Sequence, residues 1–256
     1  MGRIRNIWEK WAFKFKKMPT WEEAIKFTPD GDYTKIDASN ITLGNMNWKA
    51  GYTKNFDPDG EDPMFRPSRP WDSTLSSPDN IKVEDGLIKL TQPAGEGQKD
   101  AWMESNFKIK YGTIRALIKL PKVDGAWSAF WLFGTNGMPE MDILEHCGSW
   151  KNEVAVTHHW GYDYNGERGK KSTLHNGRKK KKFKPTDEYY LYEVELSPYY
   201  IKYKINGVVV RKLKNHLSSG ENTIIFDVTT GFYCNSSEVV EDATMLVKFL
   251  EIYKIH

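Results

Sequence analysis

The chain has 256 residues, 39% hydrophobic and 28% charged, a make-up that fits one folded domain and excludes a disordered or fibrous chain. No run approaches the roughly 18 consecutive apolar residues of a spanning helix, so no membrane-spanning helix is expected. The formal charge is only +3, from 37 Lys+Arg against 34 Asp+Glu, which argues against a nucleic-acid binder held by a basic face. With 10 Trp, 13 Tyr and 12 Phe, stacking surfaces for flat ligands are expected.

In chain order, residues 1–20 read as a basic, aromatic extension of a single domain spanning 1–256. Ile4, Ile7, Trp8 and Trp11 recur at helical spacing, so this extension reads either as a short amphipathic helix or as a surface-packed tail. It has no apolar run or small-residue cleavage site of a secretory signal. Residues 40–80 are dense in Asn, Gly, Pro and Asp and show no period, and their aromatics, Trp48 among them, mark a loop that is functional rather than disordered.

From residue 81 the texture becomes alternating runs separated by turns. I-K-V-E-D-G-L-I-K-L-T reads as two strands about Asp85-Gly86. Y-G-T-I-R-A-L-I-K-L-P, A-W-S-A-F-W-L-F-G, P-E-M-D-I-L-E-H-C and N-E-V-A-V-T-H-H-W follow. Later come Y-L-Y-E-V-E-L, Y-Y-I-K-Y-K-I, an Asn206-Gly207 turn, V-V-V-R-K-L, N-T-I-I-F-D-V-T-T and M-L-V-K-F-L-E-I-Y-K-I. About a dozen strands without a long helix predict an all-β fold, a two-sheet antiparallel β-sandwich rather than a closed barrel. Cys147 and Cys234 lack the paired spacing of a zinc site and are expected as free thiols, with one bridge open to them.

Between Gly166 and Lys184 nine Lys or Arg face one acid, Glu167, so the segment carries +8 and the rest of the chain −5. Its run R-K-K-K-K-F-K at 178–184 reads as a solvated loop or as an electropositive lip for an anionic polymer. Arg66 and Arg69 in the aromatic loop would serve the same polymer.

The chemistry concentrates in P-E-M-D-I-L-E-H-C. Glu140 and Asp142 share a face of a strand by alternation, but Glu145 has the wrong parity unless a bulge at Ile143-Leu144 absorbs one residue. With the bulge, all three carboxylates face one surface, while Met141 and one of the bulged pair face the core. Crowded carboxylates raise at least one pKa, which destabilises the fold and suits acid/base work. The run also reads as a calcium site or as an edge strand with protective charges, yet calcium favours loop ligands and edges favour Lys. Paired carboxylates on a sheet are the apparatus of glycosidic cleavage, one as nucleophile and one as proton donor.

G-A-W-S-A-F-W-L-F-G followed by P-E-M-D-I-L-E resembles the signature of glycoside hydrolase family 16. The flanking strands, the T-H-H-W-G at 157–161 and the late hairpin about Asn206-Gly207 extend the similarity to about 180 residues. The resemblance implies a jelly-roll sandwich with a concave cleft. It implies retaining, endo-acting hydrolysis of a β-linked polysaccharide, a β-1,3-glucan or a neutral or sulfated galactan, by double displacement. Glu140 would be the nucleophile, Asp142 an auxiliary acid and Glu145 the general acid/base. His159 would lie beside the acids, and Trp127, Trp131 and Trp160 are candidates for the cleft floor, with Trp48, Arg66 and Arg69 as further substrate contacts.

The six-residue acid motif resembles the branch with laminarinases, agarases, porphyranases and carrageenases. Two departures touch the sugar subsites: T-N-G-M-P stands where laminarinases carry Trp-Pro, and Glu104 stands where many relatives carry Arg. No cofactor and no metal ligand set is indicated, a structural calcium ion being allowed but unsupported by any motif. The expected partner is a polysaccharide, neutral or anionic, with neither nucleic acid nor membrane, and the chain is expected as a monomer acting on extracellular polymer. The rival reading, a non-catalytic carbohydrate-binding or virion or cell-surface sandwich, predicts the loss of an acid, and all three are present.

Overall fold

A computed structural model describes residues 18–43, 65–66, 76–134, 139–160, 170–176, 183–215, 220–230, 234 and 238–256, with backbone alone for 65–66 and 170–176. The strands are β1 Asp32–Asp37, β2 Phe65–Arg66, β3 Ile81–Glu84, β4 Leu87–Gln92, β5 Ala101–Ile109, β6 Tyr111–Lys119, β7 Ala126–Gly134 and β8 Glu140–Cys147. They continue with β9 Val154–Trp160, β10 Lys170–Asn176, β11 Tyr190–Leu196, β12 Tyr200–Ile205, β13 Val208–Lys214, β14 Asn222–Thr230 and β15 Ala243–Ile255. Among the described residues one short α-helix, α1 Trp21–Ala24, is opened by a capping box in which Thr20 and Glu23 satisfy each other's backbone N–H.

The strands form two antiparallel sheets. One has eight strands in the order β13-β12-β11-β6-β15-β4-β3 with β1 paired on β15, and the other has seven in the order β10-β9-β8-β7-β14-β5-β2. This is the expected sandwich. Alternation explains the packing: Phe130 and Leu132 of β7, Phe226 and Val228 of β14, and Val154 and Val156 of β9 turn inward, against Tyr192, Tyr203, Ile205 and Leu250 of the facing sheet. Phe130 stacks on Phe226 at 4.5 Å. The expected turns are present as Asp85-Gly86 and Asn206-Gly207, with φ of 55° and 71°, and 46° and 73°, the left-handed pair a two-residue hairpin requires.

On the outer face of the eight-stranded sheet α1 covers Leu117, Leu191 and Phe249. Arg115 on that face pairs with Glu251 at 2.8 Å and donates to the carbonyls of Phe27 and Ile25, fastening the residues after α1. The seven-stranded sheet keeps its outer face for the candidate site.

One expectation changes here, and one strand stands where none was expected. Cys147 and Cys234 are not free thiols but a disulfide that ties the end of β8 to the connection between β14 and β15. Spacing could not reveal this, because the two are 87 residues apart and meet only through the sheet order. Part of the basic segment is strand: β10 pairs along β9 from Lys170 opposite Trp160 to Asn176 opposite Val154. Its sequence K-K-S-T-L-H-N holds one aliphatic residue, Leu174, and so carries no alternation to read. The helix considered at Ile4–Trp11, and residues 178–182 of the lysine run, lie outside the described residues.

Candidate active site

The register of β8 places the acids. Asp142 stands opposite Thr157 of β9 while Glu145 stands opposite Ala155, so three steps on β8 match two on its neighbour. On the other side Leu144 faces Phe130 and Asp142 faces Trp131, which skips Ile143. The extra residue is the bulge that parity required. Met141, Ile143 and Leu144 all enter the core, so both bulged side chains are buried rather than one. Glu140, Asp142 and Glu145 are left together on the outer face.

Each acid has its own surroundings. Asp142 is only 4% exposed, whereas Glu140 and Glu145 are half-buried. His159 lies opposite Glu140 on β9, with Nε2 at 3.3 Å from Glu140 Oε1 and 3.5 Å from Asp142 Oδ2. Thr157, one rung along, donates its hydroxyl to Glu145 Oε2. The donor atoms of Glu140, Asp142 and His159 lie within 4.8 Å of one another, a set able to hold a cation or to share a proton.

The strand bearing His159 and Thr157 is braced from inside the sandwich. The Tyr203 hydroxyl donates to the Thr157 carbonyl at 3.1 Å and Arg211 Nη1 donates to the Val156 carbonyl at 3.0 Å. Burial drives the Tyr203 phenol far above its ordinary range, and the Asp142 charge adds to this, so it remains an O–H donor. A buried arginine and tyrosine thus fix the strand whose side chains, His159 and Thr157, touch all three acids.

The regular pairing of β7 with β14 puts Trp127, Ala129, Trp131 and Phe133 on the acids' face. Trp131 is held by Nε1 donation to Asp227 Oδ1 at 2.7 Å and by edge contacts with Trp102 at 5.5 Å and Phe133 at 5.2 Å. Trp131 and Phe133 are the open aromatic surface beside Asp142 and Glu140, whereas Trp127 is nearly covered and meets Trp150 edge-on at 5.5 Å. Trp160 does not belong to the floor. It stacks on His158 at 4.9 Å, on the opposite face of β9 from His159, because it lies two positions from His158 and next to His159. Trp48, Arg69 and the side chain of Arg66 lie outside the described residues.

Sequence reasoning overlooked Thr157 and Asp227. Thr157 was legible, since it lies two residues before His159 and so shares its face. Asp227 showed itself as a lone acid in the apolar run N-T-I-I-F-D-V.

The model of the family described as Glycosyl hydrolases family 16 matches residues 70–242. The chain belongs to glycosyl hydrolase family 16. Among curated proteins the chain is 22% identical over 246 residues to the clotting factor G alpha subunit of Tachypleus tridentatus, covering 86% of this chain and 35% of that protein. The chain therefore spans about a third of that relative. Among solved structures it resembles the laminarinase catalytic domain of Thermotoga maritima, with a TM-score of 0.61 and 21% identity over 71% of this chain and 82% of that one. It also resembles SCLam, a non-specific endo-β-1,3(4)-glucanase, at a TM-score of 0.64 and 14% identity over 90% and 94%. At these identities the structural likeness speaks for the fold, and the family model carries the membership.

Proposed function

We propose that this family 16 hydrolase is an endo-acting, retaining β-glycosidase. The observation that carries the reading is the bulge at Ile143-Leu144, which brings Glu140, Asp142 and Glu145 onto one open face. In the first step a Glu140 oxygen attacks the anomeric carbon while Glu145, protonated, gives its proton to the departing glycosidic oxygen, leaving a glycosyl ester on Glu140. In the second, Glu145 as carboxylate takes a proton from water, the hydroxide attacks the same carbon, and Glu140 leaves as carboxylate. Two inversions retain the configuration. His159, set between Glu140 and Asp142, holds Glu140 in place, and Thr157 orients Glu145. The scheme uses side chains alone, and one chain suffices for it.

For the polymer, a β-1,3-linked or mixed-linkage glucan is the first choice. The related structures named above act on such glucans, and the described floor carries carboxylates and indoles, which suit a neutral, hydroxyl-rich ring. The missing Trp-Pro and Glu104 favour a galactan as the second.

Glu140→Ala tests the reading. Hydrolysis of the polymer should vanish, and azide should restore turnover of an activated aryl glycoside as an inverted glycosyl azide. If azide instead yields that inverted product only with Glu145→Ala, the two roles are exchanged.

A further inference from the structure

Beyond the end of β8, a cavity of about 560 Å³ opens where three connections meet: 120–125 between β6 and β7, 148–153 between β8 and β9, and 183–189 before β11. Lys122, Lys151 and Lys184 line it, with Asp124, Asp187 and Trp150. The connections are tied together, Leu120 N–H donating to the Pro185 carbonyl at 2.9 Å and Gly148 N–H to the Ala126 carbonyl at 3.0 Å. The charges are unequally committed. Lys184 pairs with Asp187 at 3.8 Å, and the Asp124 carboxylate accepts the Gly125 N–H at 2.9 Å. Neither Lys122 nor Lys151 has an ion-pair partner among the described residues.

Trp150 connects this cavity to the cleft. Its ring meets Trp127, which lies on the acids' face opposite Cys147. Two strand residues, about 7 Å, separate Cys147 from Glu145. The same cavity therefore carries an indole in contact with the acids' face and two ammonium groups without an ion-pair partner among the described residues. Like charges sharing one cavity repel, and a bound anion relieves that repulsion.

We propose that this cavity is a second carbohydrate site, which holds an anionic substituent of the polymer, a sulfate ester or a carboxylate, between Lys122 and Lys151 while Trp150 packs against its sugar ring. The proposal rests on the polysaccharide-hydrolase reading for the kind of polymer, and the catalytic step is unaffected by it. A neutral floor and a cationic flank would let the enzyme cleave at an unsubstituted bond beside a substituted sugar.

The test is affinity electrophoresis of the full chain carrying Glu140→Gln, in gels containing carrageenan as the sulfated polymer, polygalacturonate as the carboxylated one, or laminarin as the neutral one. At least one anionic polymer should retard the protein, and which one identifies the substituent. K122S/K151S should weaken that retardation about tenfold or more, as loss of charged hydrogen bonds implies, and W150A should weaken it too. Raising salt from 0.1 to 1 M should do the same, as the Debye length falls from about 10 to about 3 Å. Unchanged retardation in K122S/K151S, or none by either anionic polymer, overturns the proposal. Hydrolysis of the panel by the chain with Glu140 intact is scored separately. Lysine-dependent retardation without any hydrolysis would keep the cavity and remove the hydrolase reading, whereas hydrolysis equal in parent and K122S/K151S on every anionic polymer would remove the cavity alone.

Discussion

His159 stands directly opposite Glu140 across the β8–β9 pair, with Nε2 3.3 Å from the carboxylate, and the same nitrogen lies 3.5 Å from Asp142. One imidazole thus spans two carboxylates that would otherwise repel across adjacent same-face positions. Replacing it by Asn should lower kcat about 10- to 100-fold through misplacement of the nucleophile, with KM nearly unchanged because the aromatic floor stays intact. Steady-state kinetics on the preferred polymer reads the split. A variant that raises KM and spares kcat would make His159 a sugar contact instead.

The bulge supplies the second prediction. Both Ile143 and Leu144 are buried in the core, so removing either side chain is costly on its own. Leu144→Ala keeps the residue count: it should lose about 2–5 kcal/mol of stability and retain most of its activity at a temperature where it is folded. Deleting Leu144 makes the strand regular and resets Glu145 against its neighbours. Stability should fall comparably, but activity by more than 100-fold. Equal activity in the two folded variants would show that the register of Glu145 is not what matters.

The disulfide between Cys147 and Cys234 closes a span of 87 residues. Its crosslink should contribute about 3–5 kcal/mol, mostly by restricting the unfolded chain. For a chain of this size a reducing agent, or Cys147→Ser with Cys234→Ser, should lower the melting temperature by about 10 °C. Thermal scans with and without reductant measure it. A shift below 2 °C would mean the connection holds without its bond.

How much of this the sequence disclosed depended on whether the signal was local. The acid motif and its bulge follow from parity within six residues, and the two hairpin turns follow from Asp-Gly and Asn-Gly pairs. Trp160 illustrates the limit: its strand is legible in T-H-H-W, and alternation outward from His159 puts it on the opposite face, away from the acids. The disulfide, the Arg211 and Tyr203 brace under β9 and the Asp227 bond to Trp131 join residues 46 to 96 positions apart, and only the sheet order brings them together. β10 was hidden for a different reason, since K-K-S-T-L-H-N holds one aliphatic residue, Leu174, and no alternation marks it as strand.

His146, the residue after Glu145, gives a pH prediction. It is fully buried, its Nδ1 bonds the Glu153 carbonyl at 2.9 Å, and burial pushes its pKa down to about 4, the backbone bond opposing this only in part. The folded state therefore keeps the imidazole neutral, while the unfolded chain takes up a proton near the ordinary value of about 6.5. Between those values the unfolded state binds more protons, so stability rises with pH across the window and is lost on acidification from about 6.5 toward about 4. The full span is worth about 3 kcal/mol. Denaturant midpoints at pH 7, 5.5 and 4.5 should show the decline. His146→Asn, whose amide can replace the Nδ1 donor, should be less stable at pH 7 but flatter below it. A variant with the parent's slope would assign the acid sensitivity to other groups.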